Sequence, residues 1–433
     1  MKFKIVSVGI NGEGIAYDHK IPVFIPGCLD GELVEADIVE TARNYKRGRL
    51  IKVLKPSKDR IEPLCPYYES CGGCSLMHCT YAKQLEIKKH NLEEALRKYA
   101  DIDYDVQVIG NDEPLHYRNE LKMPFGMHKG RLVLGLYESS SNRFLPLDDC
   151  LIHEKKLEEL KKEILKILND FRLVSYDRRS KTGLRSLVLR TISNKAQMCL
   201  VTGKDKLDEE LINRLYAIKD LVSIYQSIKI NDSRDVFGKQ MIHLAGSKQL
   251  EFSYGDLKLS LSSRSFYQLN SKQTKKLYAL VLDKIKEETD LVVEAYCGIG
   301  TMSLLSAKKA KRVEGIEFVE DAISNARKIA KRNNIHNAFF HCGDAADILS
   351  KQFRKEKIDV LIVDPPRSGL DDNMIETILK MDIARIVYVS CNPSTLAKNL
   401  DELKRKYMIE SIEAIDMFSN TSHVETVVLM QKM

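Results

Sequence analysis

The stretch LVVEAYCGIGTMS, residues 291–303, decides the fold of the carboxyl-terminal half. Its first half is an apolar run of the kind that forms a strand buried on both faces, and its second half turns through Gly298 and Gly300 into a helix start. Small residues at such a turn let a ligand approach the backbone closely. Glu317 closes the next apolar run about 20 residues further on, where an acid can hold both hydroxyls of a ribose. Taken alone, GIGTMS is nearly a dinucleotide fingerprint, so a nicotinamide oxidoreductase is one reading of this segment.

The same strand-then-helix pattern continues through KRVEGIE, NAFFHC, DVLIVD and RIVYVS. Such alternation specifies an α/β domain with a parallel sheet covered on both faces. Ligands of open α/β sheets bind at the carboxyl ends of the strands, and those ends read HCGDA, VDPPRSG and VSCNPST. None resembles hydride-transfer machinery. In VDPPR the two prolines hold an extended turn that presents the Asp364 carboxylate. In VSCNPST, Cys391 precedes a Pro-initiated helix, near amides whose dipole favours a thiolate; a buried structural cysteine is the alternative.

A chain of 433 residues, 44% of them hydrophobic, can bury more than one core. Residues 1–56 alternate short β-rich runs (FKIVSV, IPVFI, ELVEADIVE, GRLIKVL) with turn signals at Gly12, Gly14, Pro26-Gly27 and Asp30-Gly31, the pattern of a small β-barrel. Arg43, Lys46, Arg47 and Arg49 surround Tyr45, a mix that suits single-stranded nucleic acid or a solvated edge guarding a strand. Residues 57–250 read as a mixed α+β central domain. In it Leu85, Leu92, Leu96 and Tyr99 recur at helical spacing, a long amphipathic helix runs near Lys155 to Phe171, and RSLVLRTI, AQMCLVT and SIYQSIKI are strand candidates. Residues 251–433 form the α/β domain.

The net charge of +7 suits a phosphate-rich partner. No apolar run approaches the roughly 20 residues of a membrane-spanning helix, and MKFKIVSVGI reads as a strand and not a leader, so the expected location is cytoplasmic. Ten cysteines in such a compartment point to metal or catalytic use.

RSFYQLN (264–270), AYCGIGT, GIE, DPPR, SCNPST and HVETVVLM resemble, in order, the motifs of the RNA uracil-5-methyltransferase family. GEGIAY, PVFIPG and GELVEADI resemble the TRAM barrel that precedes many of its members, so the resemblance covers nearly the whole chain. A DPP alone also resembles amino-methyltransferases of DNA, but those carry an aromatic fourth residue where this chain has Arg367, and they lack SCNP. The chain departs from the family in Glu294, where Asp is usual, and in FSNTSHVE, where a Pro-containing segment is usual. The resemblance implies a Rossmann-like class I methyltransferase domain with an OB-like N-terminal barrel, S-adenosylmethionine as cofactor and RNA as partner.

The resemblance also implies roles. Carbon 5 of uracil is a poor nucleophile until a thiolate has added to carbon 6, and Cys391 matches that nucleophile. Glu425 of HVE matches the base that removes the carbon 5 proton; a plain strand carboxylate is its alternative. Gln268, Tyr296, Glu317 and Asp364 match cofactor contacts, with Asp344 of CGDA a further candidate, and Tyr296 alternatively serves only in packing. Core burial is the expectation for Phe266, and a platform for a flipped base is the alternative.

Cys65, Cys71 and Cys74 are spaced so that the glycines of CGGC let the chain wrap a metal centre. The family pattern places a fourth ligand at Cys150 and implies a 4Fe-4S cluster; zinc is the rival, and Cys79 lies close enough to be mistaken for a ligand. Barrel and four cysteines together resemble the bacterial ribosomal branch, so the expected substrate is 23S rRNA in single-stranded or loop form. The same chemistry on tRNA, or a nonenzymatic RNA-binding protein, are the alternatives.

Overall fold

An eight-stranded sheet organises the carboxyl-terminal half of the computed structural model, which describes residues 1–138, 141 and 143–433. Its order is Ala338–Cys342, Ala310–Glu317, Thr289–Ala295, Ile358–Val363, Ile383–Ser390, Glu425–Lys432, Tyr407–Ile415 and Gln107–Ile109. The first five are parallel, as the alternating pattern requires. The strand Glu425–Lys432 runs antiparallel to both of its neighbours. Strand residues alternate between two cores, one on each face: Leu291 and Val293 enter one, Val292 the other.

The N-terminal sheet has six strands between Lys2 and Lys55 and curls around Phe3, Ile5, Val23, Ile25, Val34 and Ala36. The segment after Lys4 pairs onward, Ile5 N donating to Glu32 O and Val6 N to Ile15 O, which carries the curl round. One of these strands, Glu13–Asp18, falls where Gly14 reads as a turn. Gly14 is there for close packing instead: a Cβ at this position would sit 2.6 Å from Cys28 Cβ. The central seven-stranded sheet carries the helices Lys155–Asp170 and Glu209–Tyr216 against its apolar face.

Residues 81–109 lie within the expected central segment by number, yet they pack on the α/β half. Leu92 and Leu96 of the helix Tyr81–Ala100 share a core with Leu396 and Leu400, and Gln107–Ile109 adds the eighth strand. The inward face of this helix also carries Lys88, which is fully buried and paired with the equally buried Asp416. Asp416 accepts further hydrogen bonds from Tyr81 Oη and Ser419 Oγ, both at 2.6 Å. Among the described residues no helix is long and apolar enough to cross a membrane.

Removing one partner of a buried ion pair leaves the other charge without compensation. Lys88→Met is therefore expected to destabilise the protein by about 3 kcal/mol or more, read as a lowered thermal unfolding midpoint. An unchanged midpoint would show that the pair contributes nothing to stability.

Candidate active site

The strand order reverses at Thr289–Ala295, so the loops leaving this strand and its neighbour Ile358–Val363 part and open a crevice. The chain leaves the first strand through Tyr296 at φ +65, a conformation that costs a non-glycine residue about 1–2 kcal/mol and aims its ring along the crevice wall. Gly298 and Gly300 have different tasks. A Cβ on Gly298 would meet nothing within 4 Å, so the backbone here faces open space; one on Gly300 would strike the Phe340 ring at 2.4 Å, so that glycine serves packing. The Glu317 carboxylate accepts from Gly298 N at 3.1 Å and from Val319 N at 3.0 Å, which fastens the two strand-end loops together.

The resulting cleft has a volume of about 310 Å³, and its lining includes Gln268, Tyr296, Glu317 and Asp364. Asp344 stands outside that lining and caps the helix Ala345–Gln352, accepting from Asp347 N at 3.0 Å. Phe266 corrects its expectation: it is 72% exposed at the rim of the cleft, while its neighbour Tyr267 takes the buried place against Phe252. Within the lining, Glu294 is buried and receives the Ser303 hydroxyl; burial pushes its pKa up to about 8.

At the Asp364 end of this cleft two carboxyls, a thiol and one arginine meet. Cys391 follows Ser390 at the end of its strand, and the antiparallel register Ser390↔Thr426 brings Glu425 beside it. Asp364 ends the adjoining strand. Burial pushes Glu425 up to about 8, with the Asp364 charge adding and Arg367 opposing; burial likewise pushes Asp364 up to about 7. Contrary to the expected dipole-stabilised thiolate, the Cys391 thiol is held above its ordinary value. Burial and Glu425 outweigh Arg367, Asp364 adds to the rise, and the backbone amide contributes least. The dipole of the helix Pro393–Leu403 is already answered by Asn392, whose side chain accepts from Ser394 N at 3.1 Å.

Arg367 Nη2 lies 3.3 Å from His423 Nε2. Burial, then Arg367, holds His423 down to about 4, so its imidazole is neutral at physiological pH. Neither member of this pair stood out in the sequence beyond its place in DPPR and HVE.

Cys65, Cys74 and Cys150 share an apolar pocket with Met77, Tyr117 and Ile152. Burial and then the neighbouring Cys150, Cys71 and Cys65 push the Cys74 thiol up to about 12, so the other three thiols lie within electrostatic reach of Cys74. That donor chemistry fits a thiolate-bound centre, although among the described residues no three His, Cys, Asp or Glu side chains are drawn into a ligand arrangement. Cys79 is separate: it is buried with Val8, Leu29, Leu76 and Ile87, and its Sγ donates to Leu76 O at 3.2 Å.

The pattern of the tRNA (Uracil-5-)-methyltransferase family matches residues 80–433, and that of the TRAM domain matches residues 4–51. The chain belongs to the tRNA (uracil-5-)-methyltransferase family. It is 38% identical to an uncharacterized RNA methyltransferase of Clostridium tetani, covering 98% of this chain and 95% of that one. A second such methyltransferase, from Enterococcus faecalis, is 37% identical over 100% of this chain and 97% of its own length. The solved structure of Pyrococcus abyssi tRNA (uracil-54, C5)-methyltransferase in complex with S-adenosyl-L-homocysteine superposes with a TM-score of 0.81 at 25% identity, covering 99% of this chain and 100% of that one. This uracil-5-methyltransferase is thus an S-adenosylmethionine-dependent enzyme acting on carbon 5 of uridine in RNA, with a TRAM-like curled sheet that serves RNA binding. The nicotinamide and nonenzymatic readings fall with that assignment.

The buried carboxyls of the methyltransferase make its stability depend on pH. Asp364, Glu425 and Glu294 have folded-state pKa values raised above the ordinary carboxylate range, so between roughly pH 4 and 8 the unfolded chain holds fewer protons than the folded one. Stability contributed by these groups is present below about pH 4 and is lost as pH rises through about 7 to 8. Denaturant titrations of the cofactor-free protein at stepped pH are expected to show this decline, with a shallower slope in Glu425→Gln; equal slopes would place Glu425 in a solvated setting.

Proposed function

We propose that Cys391 and Glu425 carry out the methylation in two covalent stages. The Cys391 thiol loses its proton to solvent and the thiolate adds to carbon 6 of the target uracil; the ring becomes an enolate whose carbon 5 then bonds to the methyl group as the methyl–sulfur bond of the donor breaks. S-adenosylmethionine, held by Gln268, Tyr296, Glu317 and Asp364, with Asp344 as an outer candidate, supplies an electrophilic methyl group when bound. Glu425 then takes the carbon 5 proton, the carbon 5–carbon 6 double bond re-forms, and the Cys391 sulfur leaves as thiolate. Arg367 is the neighbour that favours this thiolate, both when it attacks and when it leaves.

The observation that carries this reading is the Ser390↔Thr426 register, which sets a thiol and a buried carboxyl side by side at the strand ends next to Asp364. Buried carboxylates with raised pKa are suited to proton transfer near neutrality. Phe266, exposed at the rim, is available to stack on an unstacked base.

Of the RNA substrates, tRNA has the stronger support, because the Pyrococcus abyssi relative acts on uracil 54 of tRNA and matches over nearly the full length. A second reading, 23S rRNA, rests on the four cysteines combined with the barrel. RNA carrying tritium at uridine carbon 5 distinguishes them: release equal to methyl incorporation on one RNA identifies it, and methylation without release would mean that another atom is modified. In the same assay Cys391→Ala is expected to lose turnover by about 10⁴-fold or more, and Glu425→Gln to accumulate a covalent RNA adduct on denaturing gels.

For the cysteines, the reading is a 4Fe-4S cluster on Cys65, Cys71, Cys74 and Cys150. Anaerobically purified protein is expected to be brown and to hold about four iron and four sulfide per chain. A colourless protein with zinc in their place would overturn this.

A further inference from the structure

The loop from Asp416 to Val424 leads directly into Glu425, and its shape cannot come from a proline, because Ser419 and Asn420 stand in FSNTSHVE. Asn420 is 5% exposed and lies at φ +66, a conformation that Asn tolerates better than other non-glycine residues. Both its backbone groups and both side-chain polar atoms are bonded. Its N donates to Gln84 Oε1 at 2.7 Å, and its Oδ1 accepts from Gln84 Nε2 at 3.2 Å. Its Nδ2 donates to Pro114 O at 2.7 Å. Its carbonyl accepts from Ser75 N at 3.0 Å and from Leu76 N at 2.9 Å.

Ser75 returns a further bond, its Oγ accepting from Ser422 N at 3.1 Å. Ser75 is itself wedged, since a Cβ on Gly12 of the N-terminal sheet would lie 2.7 Å from its Oγ. It directly follows Cys74. The upstream end of the loop is fixed by the Lys88–Asp416 pair and by Tyr117 Oη donating to Ser419 O at 3.0 Å. Cys391 hangs on the strand Ile383–Ser390 and the helix Pro393–Leu403, and the cleft on the strand Ile358–Val363 and the loops after residues 295 and 317; the segment of Gln268 meets the 416–424 loop at its upstream end, Asn270 Nδ2 donating to Met417 O at 3.2 Å. Loosening the loop downstream of that bond would therefore move Glu425 and His423 while leaving the nucleophile and the cofactor residues in place.

We propose that Asn420 is a positioning residue for the elimination step, fastening the loop that carries Glu425 to the cysteine segment through Ser75. The inference rests on the reading of Glu425 as the base. In the adduct, carbon 5 carries both the new methyl and its proton; the Glu425 carboxylate takes the proton, the electron pair forms the double bond, and the carbon 6–sulfur bond breaks. A misplaced carboxylate slows this step alone, because adduct formation does not use it.

The test measures adduct fraction on denaturing gels, tritium release, and KM for RNA and for S-adenosylmethionine, in the full-length enzyme and in Asn420→Ala, Ser75→Ala and Glu425→Gln. Expected for Asn420→Ala, and more mildly for Ser75→Ala, is release slowed by about tenfold or more, with a larger adduct fraction and both KM values within about twofold of the parent. Asn420→Gly, which keeps the backbone conformation and its three hydrogen bonds, should recover part of the rate. Parallel loss of adduct formation and release would show a merely structural role and overturn the proposal, as would unchanged release in Asn420→Ala; should that variant not fold, unchanged release in Ser75→Ala decides. Absence of adduct in Glu425→Gln would instead overturn the assignment of the base, and the positioning role with it.

Discussion

The strand Glu425–Lys432 enters the sheet between Ile383–Ser390 and Tyr407–Ile415 in the direction opposite to its parallel neighbours. A parallel strand in that slot would begin at the far edge of the sheet. The reversed one begins at the edge where Ile383–Ser390 ends, so a residue from the last strand meets residues delivered by the fourth and fifth. Hydrogen-bond register then converts chain order into juxtaposition and decides which carboxyl faces Cys391, and the anchored 416–424 loop holds that carboxyl in place.

That arrangement has a cost. Asp364, Glu425 and Glu294 all lie buried near one another, and each is pushed toward its neutral form. Tyr296 holds a left-handed backbone at the mouth of the cleft. These unfavourable features gather at the carboxyl edge of one sheet, where two apolar cores on its opposite faces hold the strands in place. Arg367 is the compensating charge, and its neutral neighbour His423 does not compete with it.

Beside the apolar core that the helix Tyr81–Ala100 shares with this half, polar contacts join the amino-terminal half to this edge. Lys88 and Gln84 reach the 416–424 loop from one helix, Ser75 and Leu76 from the cysteine segment, and Asn111 Nδ2 donates to Ser419 Oγ at 3.1 Å. Asn119 and Arg190 of the central region likewise hold the segment that carries Phe266 and Gln268, Asn119 Nδ2 donating to Gln268 O at 3.1 Å and Arg190 Nη2 to Ser265 O at 2.8 Å. Buried polar contacts of this kind specify one geometry, because a displaced partner is left unsatisfied. Residues of the barrel, the cysteine segment and the central sheet thus all bear on the site without lining its floor.

Periodicity, glycine turns and strand-end motifs are local, and they were enough to read the parallel sheet, the glycine loop and the strand ends bearing Asp364 and Cys391 directly from the chain. The helix Tyr81–Ala100 was also legible, but not its partner, because apolar spacing says that a face is buried and not against what. A lysine on a helix ordinarily reads as solvent-facing, and only the distant partner Asp416 makes the burial of Lys88 tolerable. Phe266 and Tyr267 are adjacent aromatics of similar hydrophobicity, so which of them turns outward depends on Phe252 and the cleft. Gly14 reads as a turn along the chain, because the Cys28 side chain that requires a glycine there comes from a separate segment beyond the next strand. Which elements form and which chemical groups their ends carry follow from neighbours along the chain, and so are legible in it. Which groups are buried together follows from tertiary packing, and with it the raised carboxyls, the raised Cys391 thiol and the anchoring of Asn420, because desolvation and charge coupling depend on side chains delivered by separate elements.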